Sequence, residues 1–244
     1  MHNAGANSPF LLVGDHAGNR IPASLGQLGL SPTERIRHIA WDIGIAELGV
    51  CLADRLGASF IHQRYSRLVI DCNRRPGAPD SIPSVSDGTL IPGNDGLDAT
   101  QAELREAAIH LPYQTAIADE IDRRTAAGLT TTLVALHSFT PSMRRIQRPW
   151  HAGILHDGGD SRFARAVLDA LGEFAELNVG DNEPYSMDTI DFTIPLHAYS
   201  RALPYVEIEI RQDLLLDASG IEAWCARLER ALTGAQASYT SRSP

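Results

Sequence analysis

Residues 10–22 read FLLVGDHAGNRIP. Four apolar residues of the kind that fill a buried strand run into a glycine, then into the charged pair Asp15-His16 and a loop of small residues. A strand of an open α/β sheet is buried along its length, and its carboxyl end opens into the crevice where such folds hold ligands. This stretch therefore predicts a core strand that delivers His16 to a site. The plainer reading is a turn in which Asp15 and Asn19 bond loop amides.

The same pattern recurs downstream. TTTLVALHSFTP, residues 130–141, is rich in β-branched and apolar residues and ends in His137 and Ser138 before a proline. ASFIHQR (58–64) and RLVIDCN (67–73) read as two more strands, the second ending in Asp71 and Asn73 with Arg74 just beyond. DIGIAELGVCLADRLG has the spacing of an amphipathic helix that starts near Asp42 and stops at Gly57. Helices are also expected over residues 98–127, with Pro112 as a kink, over 161–171, and over SGIEAWCARLERAL before a frayed tail. WHAGILHD reads as a short strand, and LPYVEIEIRQDLL alternates, putting Glu207, Glu209 and Arg211 on one face. Residues 75–96 are dense in Pro, Gly, Ser and Asp and carry no element of their own, and 180–202 gives no clear pattern. Strands alternating with helices predict an α/β fold: a mixed, mostly parallel central sheet with helices on both faces, formed by a single domain over residues 1–244.

Composition narrows the functional classes. Thirty acidic against 21 basic side chains give a formal charge of −9, which repels phosphate backbones, and the arginine pairs lack the interleaved aromatics of a single-strand binder. No nucleic-acid partner is expected. No apolar run is long enough to cross a bilayer, the amino terminus does not read as a signal peptide, and three scattered cysteines read as reduced thiols, so the expected location is the cytoplasm. No G-x-S-x-G elbow marks a serine hydrolase.

His16, Asp42 and His137 together would make a zinc set of two imidazoles and one carboxylate with a fourth position open; each histidine alone could equally be a hydrogen-bonded core residue. Two carboxylates on one strand face, Glu207 and Glu209, repel each other unless solvated or paired. They either lie on an exposed face laced with ion pairs or supply a general base beside a metal-activated water. Arg67, Asn73 and Arg74 could grip a substrate carboxylate, with Asp71 orienting an arginine, or could form a salt-bridged loop.

Four blocks in order, DHAGNRIP, SRLVIDCNRRPG, LHSFTP and EIEIRQDLL, with AWDIG between the first two, resemble the N-formylglutamate amidohydrolase family, distant relatives of zinc carboxypeptidases and aspartoacylase. The resemblance implies a zinc-peptidase-like fold and metal-dependent hydrolysis of a small N-acyl, possibly N-formyl, amino acid, with one Zn2+ per chain. Carried over by position, it makes His16, Asp42 and His137 the metal ligands, Glu209 the general base and Arg67 the group that polarises the scissile carbonyl. Asn73 and Arg74 become the carboxylate clamp, assisted by Arg211. The substrate it implies is a small anion such as an acidic N-acyl amino acid. Asn19 stands where the wider group uses a Glu ligand, so Asp42 has to supply the carboxylate. The alternatives are a carboxypeptidase-like hydrolase of a short peptide and a non-catalytic protein that binds small anions without metal.

Overall fold

The computed structural model describes residues 1–187 and 191–241. In chain order the strands are β1 (Phe10–Gly14), β2 (Ser59–His62), β3 (Val85–Ser86), β4 (Thr89–Leu90), β5 (Thr132–Phe139), β6 (Ser142–Met143), β7 (Ile146–Gln147), β8 (Ala152–Leu155), β9 (Val179–Asp181) and β10 (Tyr205–Arg211). The α-helices are α1 (Ile45–Leu56), α2 (Ala99–Arg105), α3 (Leu111–Ala126), α4 (Arg162–Gly172), α5 (Thr193–His197) and α6 (Ala218–Ser241). Six strands form one sheet in the order β2-β1-β5-β10-β8-β9; the other four make two small hairpins, β3-β4 and β6-β7. Strands β2, β1, β5 and β10 are mutually parallel, β8 runs antiparallel to β10, and β9 is parallel to β8. This is the mixed, mostly parallel sheet expected from the alternation of strands and helices.

Interior strands of such a sheet must be apolar on both faces, and β1 and β5 are buried at every position. On one face Leu12, Val134, Val206 and Ile208 pack under α1, α4 and α6; on the other Leu11, Val13, Leu133 and Ala135 pack under α3 and the long connections. The chain leaves β1 to build β2 on one side and β5 on the other, so the carboxyl ends of β1 and β5 flank a topological switch point, the usual place for a ligand crevice.

Several expectations are corrected. RLVIDCN is buried but is not a strand: Val69 N–H bonds Ser66 O and Asp71 N–H bonds Ser81 O. Its carbonyls are taken by side chains, Leu68 O by Asn94 Nδ2 and Val69 O by Arg105 Nη1. An apolar run can be buried irregularly when side chains satisfy its backbone, and periodicity does not reveal that. Residues 75–96 are likewise ordered by the β3-β4 hairpin and a turn at Pro92–Asn94. Pro112 sits in the first turn of α3, after a π-helical stretch at Glu106–His110, so the long helix is split as expected. Helix α6 continues through Ser241, past the point where fraying was expected; the last three residues of that tail lie outside the described part.

The reduced-thiol reading also fails for two cysteines. Cys51 of α1 and Cys225 of α6 form a disulfide with their Cα atoms 6.3 Å apart, while Cys72 is free and buried. The partners are 174 residues apart in sequence, and only the side-by-side packing of α1 and α6 reveals the pair. Among the described residues no helix is long and apolar enough to cross a membrane.

Candidate metal and active site

His16 follows β1 and His137 lies on β5, so the switch point brings the two rings together with centroids 5.1 Å apart. Asp42 joins them from the turn before α1: its amide donates to His16 O at 2.9 Å, and its carbonyl accepts from Ile45 N–H. Gly44 makes this turn possible. Its φ of +85° suits glycine, and a Cβ there would lie 2.4 Å from Leu215 Cβ.

The result is a compact donor set. Asp42 Oδ2 lies 3.0 Å from His137 Nδ1 and 3.5 Å from His16 Nδ1, and one ligand atom from each of the three residues falls within 4.8 Å of the others. All three are buried. The outward nitrogen of each ring meets a further carboxylate, His16 Nε2 at 2.7 Å from Asp71 Oδ1 and His137 Nε2 at 3.3 Å from Asp15 Oδ2. The hydrogen-bonded Asp71–His16 pair fixes ring orientation and makes the inward nitrogen a better donor to a cation, while Asp15 faces His137 as an ion-pair partner.

Electrostatics agree with that fit. Burial alone would raise Asp15, Asp42 and Asp71, but neighbouring charges reverse the effect. His137 holds Asp15 below the ordinary range, His16 and His137 hold Asp42 down, and Arg67 and His16 hold Asp71 well below it. Burial works to lower both histidines, yet Asp71 and Asp42 raise His16, and Asp15 and Asp42 raise His137 well above its usual value. The raised imidazoles report a strongly negative field at this spot, which a bound cation would meet in place of the ring protons. Among the described residues His16 Nδ1 has no hydrogen-bond partner, which leaves a buried ring nitrogen for a cation to occupy. Two imidazoles and a carboxylate suit Zn2+.

A cavity of about 630 Å³ opens beside this set, lined by Arg67, Asn73, Arg74, Glu207 and Glu209 among others. Arg67 donates to Asp71 Oδ2 through Nη2 at 2.6 Å and Nε at 3.0 Å, and its Nη1 stands 3.6 Å from Asp42 Oδ1. Asp71 thus orients the arginine and His16 at once; the sequence raised only the first role. Asn73 accepts from the amides of Phe192 and Thr193 and donates to Asp191 Oδ1 at 3.2 Å. Arg74 is engaged by Asp80 at 2.8 Å and approaches Asp191 at 3.8 Å.

Glu207 and Glu209 are 3% and 6% exposed, which rules out the solvent-facing strand laced with ion pairs. Glu209 sits beside His137 in the β5-β10 register. Its Oε2 has no hydrogen-bond partner among the described residues, and burial, opposed by His137, pushes its carboxyl up to about 7. Arg211 is not brought to the site: it bonds Asp213 at 2.8 Å, and the cavity wall stops at Glu209. It is the last residue of β10, one alternation beyond Glu209, and turns with the strand end. Asn19 lies elsewhere too, donating to Arg35 O.

Asp15 and Asp191 are the neighbours that sequence reasoning missed. Asp15 accepts from Thr193 Oγ1 at 2.7 Å and so links the strand end to α5. The adjacency of Asp15 to His16 pointed at most to a turn, and Asp191 falls in the stretch without a readable pattern.

A His-Asp-His group gathered at the switch point of an α/β sheet, beside buried carboxyls and an arginine, is an arrangement consistent with amide hydrolysis. The sequence matches the family described as FGase, N-formylglutamate amidohydrolase, over residues 8–216, and the chain belongs to that family. Gene product Atu2144 from Agrobacterium tumefaciens has a crystal structure similar to this one at a TM-score of 0.94 and 38% identity, covering 98% of this chain and 94% of that one. The crystal structure of N-formylglutamate amidohydrolase from Ralstonia eutropha JMP134 shares the fold at a TM-score of 0.71 and 19% identity, covering 96% and 95% of the two chains. Among curated proteins no sequence matches this chain.

Proposed function

We propose that the protein, acting as a single domain, is a zinc-dependent amidohydrolase that cleaves the amide bond of a small N-acyl amino acid, with formyl as the leading acyl group. The observation that carries this reading is the buried His16-Asp42-His137 set beside Glu209, whose Oε2 has no hydrogen-bond partner among the described residues. When bound by these three residues, a divalent cation supplies the positive charge that acidifies a water and polarises the scissile carbonyl.

This chain's own groups divide the remaining work. Glu209, with its carboxyl raised to about 7, is suited to take the proton of the attacking water near neutral pH and return it to the leaving nitrogen. Arg67, fixed by Asp71, presents a guanidinium to the oxygen on which negative charge develops. Arg74 and Asn73 are the candidates to hold the substrate's α-carboxylate; for that, the Arg74–Asp80 pair has to open or be shared. Asp15 and Asp71 keep the two rings turned inward.

Three carboxylates gathered around two imidazoles favour this reading over a metal-free anion binder, whose site would not concentrate negative charge. Purified protein is expected to carry about one zinc per chain and to release formate from N-formyl amino acids. Glu209→Gln should abolish turnover with zinc retained, and His137→Ala should lose zinc. Full activity after exhaustive chelation, or in Glu209→Gln, would refute the assignment, and activity confined to dipeptides would move it to a peptidase.

A further inference from the structure

A chain of buried polar side chains runs from α3 and α5 to the metal-side His137, and the chemistry of its members gives it a direction. Gln114 of α3, Thr193 and His197 of α5, and Asp15 are each 6% exposed or less. The Gln114 amide nitrogen donates to Cys72 O at 2.7 Å and to Thr193 Oγ1 at 3.2 Å. A backbone carbonyl only accepts, so the NH2 end of the amide faces Cys72, and its oxygen faces His197 Nε2 at 2.7 Å. Burial pushes His197 down to about 4, so the ring is neutral near pH 7 and has one N–H, which this contact puts on Nε2.

These contacts leave the Thr193 hydroxyl one role. Its oxygen accepts from Gln114, so its single proton goes to Asp15 Oδ1, 2.7 Å away. Tyr113 also acts on Asp15, but its hydroxyl has no hydrogen-bond partner among the described residues, so Thr193 is the donor that holds this carboxylate. With Oδ1 held, Oδ2 stands 3.3 Å from His137 Nε2, and neither atom has a hydrogen-bond partner among the described residues. A carboxylate opposite Nε2 favours a proton on that nitrogen and leaves the Nδ1 lone pair, on the Asp42 side of the ring, for a cation. Thr193 does not line the cavity, so it reaches the site only through Asp15. A staple between α3, α5 and β1 would need none of this order: apolar side chains at Gln114 and Thr193 would pack the same junction without burying polar groups.

We propose that Thr193 is a positioning residue for His137: its hydroxyl, oriented by Gln114, fixes the Asp15 carboxylate and, through it, the ring nitrogen presented to the cation. The inference rests on the zinc reading above and is tested so that the two can fail separately. Zinc affinity is measured by chelator competition in wild type, Thr193→Val, Thr193→Ser, Gln114→Glu and the variant combining Thr193→Val with Gln114→Glu, with urea unfolding of each apoprotein alongside. The His137 Nε2–H resonance is followed by proton–nitrogen NMR in the apoprotein and the zinc-loaded protein.

Thr193→Val keeps the shape of the side chain and has no proton to donate, so it should weaken zinc about tenfold. Thr193→Ser keeps the hydroxyl and should bind zinc close to the wild-type level. Gln114→Glu offers Thr193 an acceptor where it had a donor. It should weaken zinc on its own and add little to Thr193→Val, a coupling that a general loss of stability would not produce. The Nε2–H resonance should move in Thr193→Val and stay in place in Thr193→Ser. The role is overturned if Thr193→Val binds zinc as wild type does, if Thr193→Ser behaves as Thr193→Val, or if Gln114→Glu has the same effect in both backgrounds. Should Thr193→Val not fold, Gln114→Glu carries the test, and unchanged zinc affinity with an unmoved resonance overturns the role. If wild type binds no zinc, the hydrolase reading falls and the apoprotein resonance decides: movement in Thr193→Val but not in Thr193→Ser upholds the positioning of His137, and any other pattern overturns it.

Discussion

Burying Glu209 beside the metal-side residues has a cost in stability that pH exposes. Its carboxyl is held at about 7 in the folded chain against an ordinary value of 4.5, because burial disfavours the charged form. For an acid whose value is raised by folding, the native state keeps its proton while the unfolded chain has already lost it. Stability is therefore undiminished below pH 4.5 and falls as pH climbs through 7, after which the loss is complete. The span corresponds to about 3 kcal/mol. Glutamine has the same shape and no proton to lose, so Glu209→Gln is expected to match wild type near pH 4.5 and to exceed it by about 3 kcal/mol at pH 8. For a chain of this length that is roughly 7 °C in Tm. The measurement is urea or thermal unfolding of both proteins after exhaustive chelation, since a bound cation would itself favour the ionised acid. A gap that stays constant with pH, or a variant that is less stable at pH 8, would refute the reasoning.

Asp71 holds both His16 and Arg67, so Asp71→Asn should weaken zinc binding by about 10- to 100-fold in chelator competition, with a loss of kcat/KM that excess zinc restores only in part. Arg124 is fully buried and donates to Thr131 Oγ1 and to the carbonyls of Ser8 and Thr130; Arg124→Met should cost about 3–5 kcal/mol in denaturant unfolding. Gly49 of α1 faces the ring of Phe60, where an added Cβ would come within 2.2 Å. Gly49→Ala should therefore destabilise by about 1–3 kcal/mol even though alanine is the better helix former, and an unchanged midpoint would contradict that packing.

What could be read from the sequence follows from what each signal measures. Apolar runs ending in polar residues located β1, β5 and β10 and set His16, His137 and Glu209 at or near strand ends, because interior parallel strands must be apolar until they reach the crevice. The same signal misread residues 67–73, since burial, which hydropathy reports, does not require sheet pairing when Asn94 and Arg105 cap the carbonyls. Asp42 was open as a ligand on its chemistry and gained its place in the set from the resemblance; nothing in its local spacing says that its turn will fold back to His16 O. The double role of Asp71 and the pairing of Cys51 with Cys225 depend on distances between segments far apart in sequence. Arg211 shows the limit of alternation, which assigned it to the face of Glu209 but could not foresee that the strand would end there and hand it to Asp213.

The two hairpins give the cavity a division of labour. Val85 and Ser86 of β3 and Met143 of β6 stand in its wall, whereas His16, His137 and Glu209 come from the sheet or its immediate end. Hairpins that pair only with themselves can lengthen, shorten or change residues without disturbing the strands beneath. A lineage built on this plan can thus exchange the molecules it admits by rewriting two short excursions of the chain, while the reacting groups inherit their places from the sheet.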